Sequence, residues 1–263
     1  MIAVTKFMKI LVAIKQVPAR DSQLKIASSG QWIEDDDLTY EINEPDAYAL
    51  EAGLQLKEKH GGEVVVLCFG PSRAGQTIRE ALAKGADRAL HIESDDPGSY
   101  DPLAAGKLIA AAMKSESPDL VLTGIQSDDL GYGQTGPIVA ELMGLPHATL
   151  IMEIEQSAGG IRVKRELEDG WFQHVEMPLP ALLTIQSGIS KLRYATLMGI
   201  KKAKSKEVKV LSPESLGGVA IGSIKLERIY LPERAKQTQL FEGNPKEAAA
   251  KLVEKLKFEA RVI

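Results

Sequence analysis

Three short stretches are apolar along their whole length rather than at alternate positions: Lys9-Ile10-Leu11-Val12-Ala13-Ile14-Lys15, Glu63-Val64-Val65-Val66-Leu67-Cys68-Phe69 and Asp119-Leu120-Val121-Leu122-Thr123. A strand that is apolar on both faces has to be covered on both, which is the situation of a strand inside a parallel sheet. The first run is expected to lie centrally in that sheet. Helical patterns separate the runs. Asn43-Glu44-Pro45-Asp46 reads as a helix entry, with Asn43 as its cap, Pro45 in the first turn, a buried stripe through Ala47, Leu50 and Leu54, and a stop at Gly61-Gly62. Further helices are expected over 76–84, 100–116 and from Thr135 to near Gly144, and further strands over 88–92 and 148–153. This alternation from about 8 to 153 predicts an α/β fold: a doubly wound, mostly parallel, Rossmann-like sheet of the adenine-nucleotide-binding kind, with its ligand beyond the carboxyl ends of the strands.

Three loops are expected to meet there, after Ile14, Phe69 and Thr123. The last, Gly124-Ile125-Gln126-Ser127-Asp128-Asp129-Leu130-Gly131-Tyr132-Gly133-Gln134-Thr135-Gly136-Pro137, is rich in glycine and runs into a helix at Thr135. Glycine lets the backbone turn tightly and bring its N–H groups close to a ligand, and a helix start is a natural seat for a phosphate. Taken alone, the stretch is equally consistent with a plain strand-to-helix connection. Gly70-Pro71-Ser72-Arg73-Ala74-Gly75-Gln76-Thr77 has the spacing of a P-loop, but Gln76 stands where the phosphate-binding lysine belongs, which excludes a Walker-type ATPase. The fingerprint G-x-G-x-x-G is missing after the first strand, which argues against an ordinary Rossmann dehydrogenase.

Beyond Ile161 the period changes. Strands are expected over 161–167 and 171–177, joined by a turn at Glu168-Asp169-Gly170, and again over 181–185, the three read together as an antiparallel insertion or edge. A smaller hairpin is expected over 23–34, turning at Ser28-Ser29-Gly30. Apolar and basic residues interleave from Lys191 through Lys206, which on charge alone reads as a helix with a solvated lysine face. Residues 1–210 are expected to form the nucleotide-binding domain. Residues 211–263, with an isolated amphipathic helix over 245–258, are expected to be an arm onto another chain. The seven residues before Met8 read as a short extension or as the mark of an alternative start.

Composition narrows the function. A chain of 263 residues with 44% hydrophobic content can bury a substantial core, and a net charge of -4 gives no electrostatic reason to expect nucleic acid. Cys68 is the single cysteine, so neither an intrachain disulfide nor a chain-contained zinc or iron–sulfur site is expected. No apolar run reaches the roughly 20 residues needed to span a bilayer, and no signal-peptide core is evident, which predicts a soluble, cytoplasmic protein without membrane insertion. His60, His91, His147 and His174 lack zinc-ligand spacing, Asp35-Asp36-Asp37 reads as a loop, and G-x-S-x-G does not occur. No metal site and no covalent catalysis are expected.

Five blocks, in order, carry a resemblance. They are Val12-Ala13-Ile14-Lys15-Gln16-Val17; Thr77-Ile78-Arg79-Glu80-Ala81-Leu82-Ala83-Lys84-Gly85-Ala86-Asp87-Arg88; Gly133-Gln134-Thr135-Gly136; the segment from Val163-Lys164-Arg165-Glu166 through Pro180-Ala181-Leu182-Leu183-Thr184; and Arg193-Tyr194-Ala195-Thr196-Leu197. Together they resemble the electron transfer flavoprotein beta subunits. The resemblance implies a heterodimer with an alpha subunit that holds most of the redox FAD site. It implies electrons arriving from a flavin dehydrogenase, such as an acyl-CoA dehydrogenase of fatty acid oxidation, and leaving to a quinone reductase or another acceptor. This chain would perform no bond chemistry of its own. It would bind AMP, or a second FAD in electron-bifurcating members, through Ala13, Asn43, the backbone around Phe69, and Asp129, Gly131, Gly133, Gln134 and Thr135. Tyr194, Ala195, Thr196, Leu197 and Met198 would form the dehydrogenase-docking loop with Leu197 as its anchor, and Glu166 would help hold or release the flavin domain. Arg20 and Pro45 stand where ordinary members place aromatic residues. The alternative from another class is a self-contained regulator that binds ATP or AMP, resembling universal stress proteins; their glycine pattern would need glycine where Pro146 stands.

Overall fold

The computed structural model describes residues 8–157, 159–218, 222, 224, 226–232 and 238–263. The expected extension ahead of Met8 lies outside the described residues, as do several positions of the expected arm. The elements run β1 (Met8–Ile14), β2 (Gln16–Pro18), β3 (Tyr40–Ile42), α1 (Glu44–His60), β4 (Gly62–Gly70), α2 (Gly75–Lys84), β5 (Arg88–Glu93), α3 (Pro102–Glu116) and β6 (Leu120–Gly124). They continue with α4 (Thr135–Met143), β7 (His147–Ser157), β8 (Gly160–Glu166), β9 (Phe172–Met177), β10 (Ala181–Ile185), α5 (Leu197–Ala203), β11 (Val208–Leu211) and α6 (Pro245–Phe258).

Among the described residues the main sheet has nine strands in the order β11-β5-β4-β1-β6-β10-β7-β8-β9. β1 pairs in parallel with both β4 and β6, which puts the first apolar run well inside the sheet. Successive side chains of a strand face opposite sides, and here each side meets its own helices. Ile10, Val12, Val64 and Val66 pack with Leu50 and Leu54 of α1 and with Ile78 and Leu82 of α2. Leu11, Val65, Leu67 and Val121 pack with Leu108 and Met113 of α3 and with Val139 of α4. The result is the doubly wound, mostly parallel sheet that the continuous apolar runs require.

Several local expectations are corrected. Ala181–Ile185 does not join the antiparallel group. β10 lies between β6 and β7, parallel to both, with all five residues buried. Its unbroken apolar character is that of a strand covered on two faces. The antiparallel part is β7-β8-β9, which closes one side of the sheet. The segment 23–34 forms a single bridge, Ile26 to Ile33, with Gly30 at φ +66° in its turn. A small antiparallel pair of β2 and β3, not anticipated from the pattern, links the end of β1 to the start of α1. The basic stretch is helical only over Leu197–Ala203, and the residues before it have no regular structure. β11, also not anticipated from the pattern, pairs in parallel with β5 at one end of the sheet.

The chain divides into two compact units, the second being Arg228–Ile263. Within that unit α6 opens on a reciprocal capping box: Asn244 Oδ1 accepts the Glu247 N–H at 3.0 Å, and the Glu247 carboxylate accepts the Asn244 N–H at 3.4 Å. No residue of α6 is buried.

Candidate functional site

β4, β1 and β6 lie side by side, so their carboxyl ends and the loops that leave them face one cleft of about 960 Å³, the space at its mouth included. Ala13 to Lys15, Leu67, Phe69 and the stretch 123–127 line its floor, and Leu130 and 132–136 close one side. Pro97, Tyr100 and Pro102, ahead of and at the start of α3, close the other. The Tyr100 ring meets Phe69 edge-on, with centroids 5.2 Å apart, which gives that wall an aromatic surface.

The glycine-rich loop folds for identifiable reasons. Gly131 and Gly133 sit at φ +63° and +64°, a backbone region that side chains with a Cβ disfavour, and the Gly131 N–H bonds back to the Ser127 carbonyl at 2.9 Å. At Gly136 a Cβ would stand 2.6 Å from Thr184 Cγ2 and 2.8 Å from Thr123 Oγ1, so only glycine lets α4 approach β6 and β10 this closely. No side chain caps the amino end of α4, and no acidic residue lies in its first turn. Gln134, Thr135 and Gly136 at this end line the cleft, where a helix start carries unpaired N–H groups and the positive end of the helix dipole.

The loop is braced from α1. Asn43 occupies the cap position, but its side chain makes no capping bond. Instead Asn43 Nδ2 donates to the Gln126 carbonyl at 2.8 Å, and Oδ1 accepts the Asp128 N–H at 2.9 Å. Asp46 is 7% exposed, and its carboxylate accepts the Lys15 N–H at 2.7 Å and the Gly124 N–H at 2.9 Å. It thereby joins the ends of β1 and β6. A Cβ at position 124 would overlap Asp46 Oδ1, so Gly124 is what admits this contact. Burial raises the Asp46 carboxyl to about 7, even though hydrogen bonds from Lys15, Gly124 and Asn43 pull the other way. Burial likewise pushes the Cys68 thiol up to about 12, with Asp46 adding to the effect, so the sulfur stays protonated at neutral pH.

Of the residues expected at a nucleotide, Ala13, Asn43, Phe69, Gly133, Gln134 and Thr135 line the cleft, and Asp129 and Gly131 lie outside its lining. Asp129 accepts an ion pair from Lys15 Nζ at 2.6 Å and a bond from the Leu130 N–H at 2.7 Å. The bracing Asp46, the lining Lys15 and the wall at Tyr100 escaped the sequence reading. An acid in the first turn of a helix reads as a partner for the helix dipole, and nothing local tells that Asp46 meets Gly124, 78 residues away. Arg20 pairs with Glu44 and, at 3.7 Å, with Asp128, so it belongs to the same bracing group. The segment with P-loop spacing is taken up by Gln16, whose Nε2 donates to Arg73 O and Thr77 Oγ1.

A second feature lies at 194–200. Tyr194 is 92% exposed and Leu197 89%, and Met198 and Ile200 are exposed beside them, an apolar group on a chain segment that is otherwise held down. Thr196 caps α5 by accepting the Gly199 N–H at 3.0 Å, and Ala195 packs on the core. Glu166, at the end of β8, is half-buried and accepts Gln186 Nε2 at 3.0 Å. Among the described residues no group of three or more His, Cys, Asp or Glu side chains is placed to hold a metal ion, and no helix is long and apolar enough to cross a membrane.

Fold and cleft together define a doubly wound α/β protein with its cleft beyond the carboxyl ends of the strands. The family model described as the electron transfer flavoprotein domain matches residues 31–216. The chain is 38% identical to the electron transfer flavoprotein subunit beta of Methylophilus methylotrophus, covering 94% of this chain and 97% of that one. It is 35% identical to the subunit beta of Bacillus subtilis, covering 92% and 96%, and 34% identical to the mitochondrial subunit beta of Oryza sativa subsp. japonica, covering 97% and 100%. The chain belongs to the electron transfer flavoprotein family, on the side of its beta subunits.

Proposed function

We propose that the chain is the beta subunit of a heterodimeric electron transfer flavoprotein. It takes electrons from a flavin dehydrogenase such as an acyl-CoA dehydrogenase and passes them to a quinone reductase or another acceptor. The FAD shared with the alpha subunit supplies the redox chemistry. This chain binds a nucleotide, docks the donor and supports the flavin domain, without bond chemistry of its own.

The observation that carries the nucleotide part is the uncapped amino end of α4 behind Gly133, at the rim of an aromatic-walled cleft. Backbone N–H groups at a helix start suit a phosphate dianion, and Phe69 with Tyr100 offers an apolar wall for a base. That donor set fits an adenylate group, which AMP and FAD share. Asn43 and Asp46 then act mainly by holding the loop in place, since Asn43 commits both ends of its amide to 126–128. Asp129 and Gly131 support the loop from outside the cleft.

For docking, the exposed group Tyr194, Leu197 and Met198, set on Ala195 and Thr196, suits insertion into an apolar pocket of the donor. One buried leucine contributes about 1.5–3 kcal/mol, a scale suited to a transient complex. Glu166 is proposed to act on the flavin domain. The part of 211–263 that leaves the sheet after β11 is proposed to pack on the alpha subunit. Leu197→Ala is expected to slow reduction by the donor about 10-fold or more with FAD content unchanged. Loss of flavin instead, or an unchanged rate, contradicts the docking role.

A further inference from the structure

The docking segment poses a physical problem. Residues 191–196 have no regular secondary structure, and from Tyr194 through Leu197, Met198 and Ile200 the segment holds four large apolar side chains in water. A free loop of this kind would collapse its apolar groups or pay for ordering at every encounter with a partner. Leu192 and Ala195 pack on the core, and the polar tie of the segment to α1 runs through Arg193. Arg193 Nε and Nη2 donate to the two oxygens of Glu51 at 2.8 and 3.0 Å, and the Arg193 backbone N–H donates to Glu51 Oε2 at 3.3 Å. The same guanidinium reaches Glu58, one turn pair further along α1, with Nη1 at 2.5 Å from Oε1 and Nη2 at 3.1 Å from Oε2. Glu51 is 4% exposed and also accepts Gln55 Nε2 at 2.8 Å.

Two carboxylates bound by one planar fork fix both position and orientation, which a lysine ammonium cannot do. The other end of the segment is held independently. Gly199 lies so close to the Ala83 carbonyl that a Cβ would overlap it, and Arg79 Nη1 donates to the Ala203 and Lys206 carbonyls at 2.7 and 2.9 Å. Arg193 is therefore the polar anchor of the irregular half, set between the core-packed Leu192 and Ala195 and immediately before Tyr194.

We propose that Arg193 is a positioning residue for donor docking: its paired contacts with Glu51 and Glu58 hold 191–196 in the bound conformation before the partner arrives, so that Tyr194 and Leu197 are presented outward. The proposal rests on the docking reading of Leu197 and deepens it. It assigns to Arg193 no contact with flavin or nucleotide.

The test uses the holo heterodimer with an acyl-CoA dehydrogenase, charged with its acyl-CoA, as the probe donor. Arg193→Lys is expected to raise the KM for the heterodimer as electron acceptor about 10-fold with kcat within about twofold, because binding and not the transfer step is weakened. FAD and adenylate content stay unchanged, and amide exchange across 191–196 quickens about 10-fold or more while that of β1 and β4 does not change. Glu58→Gln, at the exposed arm of the clamp, is expected to show a smaller rise of about twofold, and it decides the matter if Arg193→Lys fails to assemble. Faster exchange with an unchanged KM overturns the proposal, since the clamp would then be structural only. Leu197→Ala serves as the reference: if it too leaves KM unchanged, the docking reading itself fails, whereas a raised KM in Leu197→Ala alone defeats only the role of Arg193.

Discussion

At Asp46 burial and hydrogen bonding pull in opposite directions. Two backbone N–H groups and Asn43 favour the carboxylate, yet enclosure between β1, β6 and α1 wins and lifts the group to about 7 from its ordinary 3.8. The folded chain therefore holds a proton that the unfolded chain releases, so the stability linked to Asp46 is full below about 3.8 and is lost as pH rises through 7. Lys15 and Cys68 are its titratable neighbours. Asp46→Asn is expected to narrow or reverse its stability deficit against the wild type as pH goes from about 5 to 8, by up to roughly 1.4 kcal/mol per pH unit in the window where the two states differ. Urea midpoints of both proteins at several pH values check this; a deficit that stays constant across the range contradicts it. Gly124→Ala forces a methyl onto the Asp46 carboxylate. It should cost about 1–3 kcal/mol and release nucleotide, read by thermal melting and by extraction of the purified complex.

Among the elements, β10 separates what pattern can tell from what it cannot. Its five apolar or small residues resembled any short strand, and their position after a hairpin suggested antiparallel company. Only the pairing with β6, whose residues lie about 60 positions earlier in the chain, shows that it is central. Leu183→Ala in β10, at 0% exposure, is accordingly expected to cost about 2–5 kcal/mol, where an edge position such as Gln173→Ala should stay within about 0.5 kcal/mol. Equal, small effects at both would place β10 at an edge. The runs 9–15, 63–69 and 119–123 were legible because a strand covered on both faces leaves no polar position. α1 was legible from its Pro in the first turn and its glycine stop, but the use of Asn43 was not, because a cap and a brace to a distant loop have the same local sequence. β2, β3 and β11 are too short for periodicity to register. The glycine loop could be located in the sequence, and so could the basic-flanked segment; the aromatic wall at Tyr100 and the Arg193 clamp depend on contacts across the fold.

For the whole molecule, the charge balance and the proposed docking segment point in different directions. The net charge is -4, yet exposed Lys201, Lys202 and Lys204 lie directly after the apolar group at 197–200. A donor surface that complements this local charge would be steered to it, and screening would weaken that steering beyond a Debye length of about 8 Å at physiological salt. Donor association is expected to slow by about 10-fold between low salt and about 0.5 M, with little change in kcat; stopped-flow reduction across a salt series reads this, and a flat series removes electrostatics from the docking account. α1 joins the two regions proposed to function, since its start braces the glycine-rich loop and its later turns hold Arg193. The central claim is that this chain adds a nucleotide of its own to a heterodimer that transfers electrons. The direct measurement is the nucleotide inventory of the complex purified with its alpha subunit, by denaturing extraction, chromatography and flavin absorbance. The account predicts that the beta chain contributes one adenylate-bearing molecule, so that FAD with AMP, or FAD twice over, is recovered per heterodimer. A single FAD with an empty cleft, or a stable monomer holding ATP and no flavin, would contradict it.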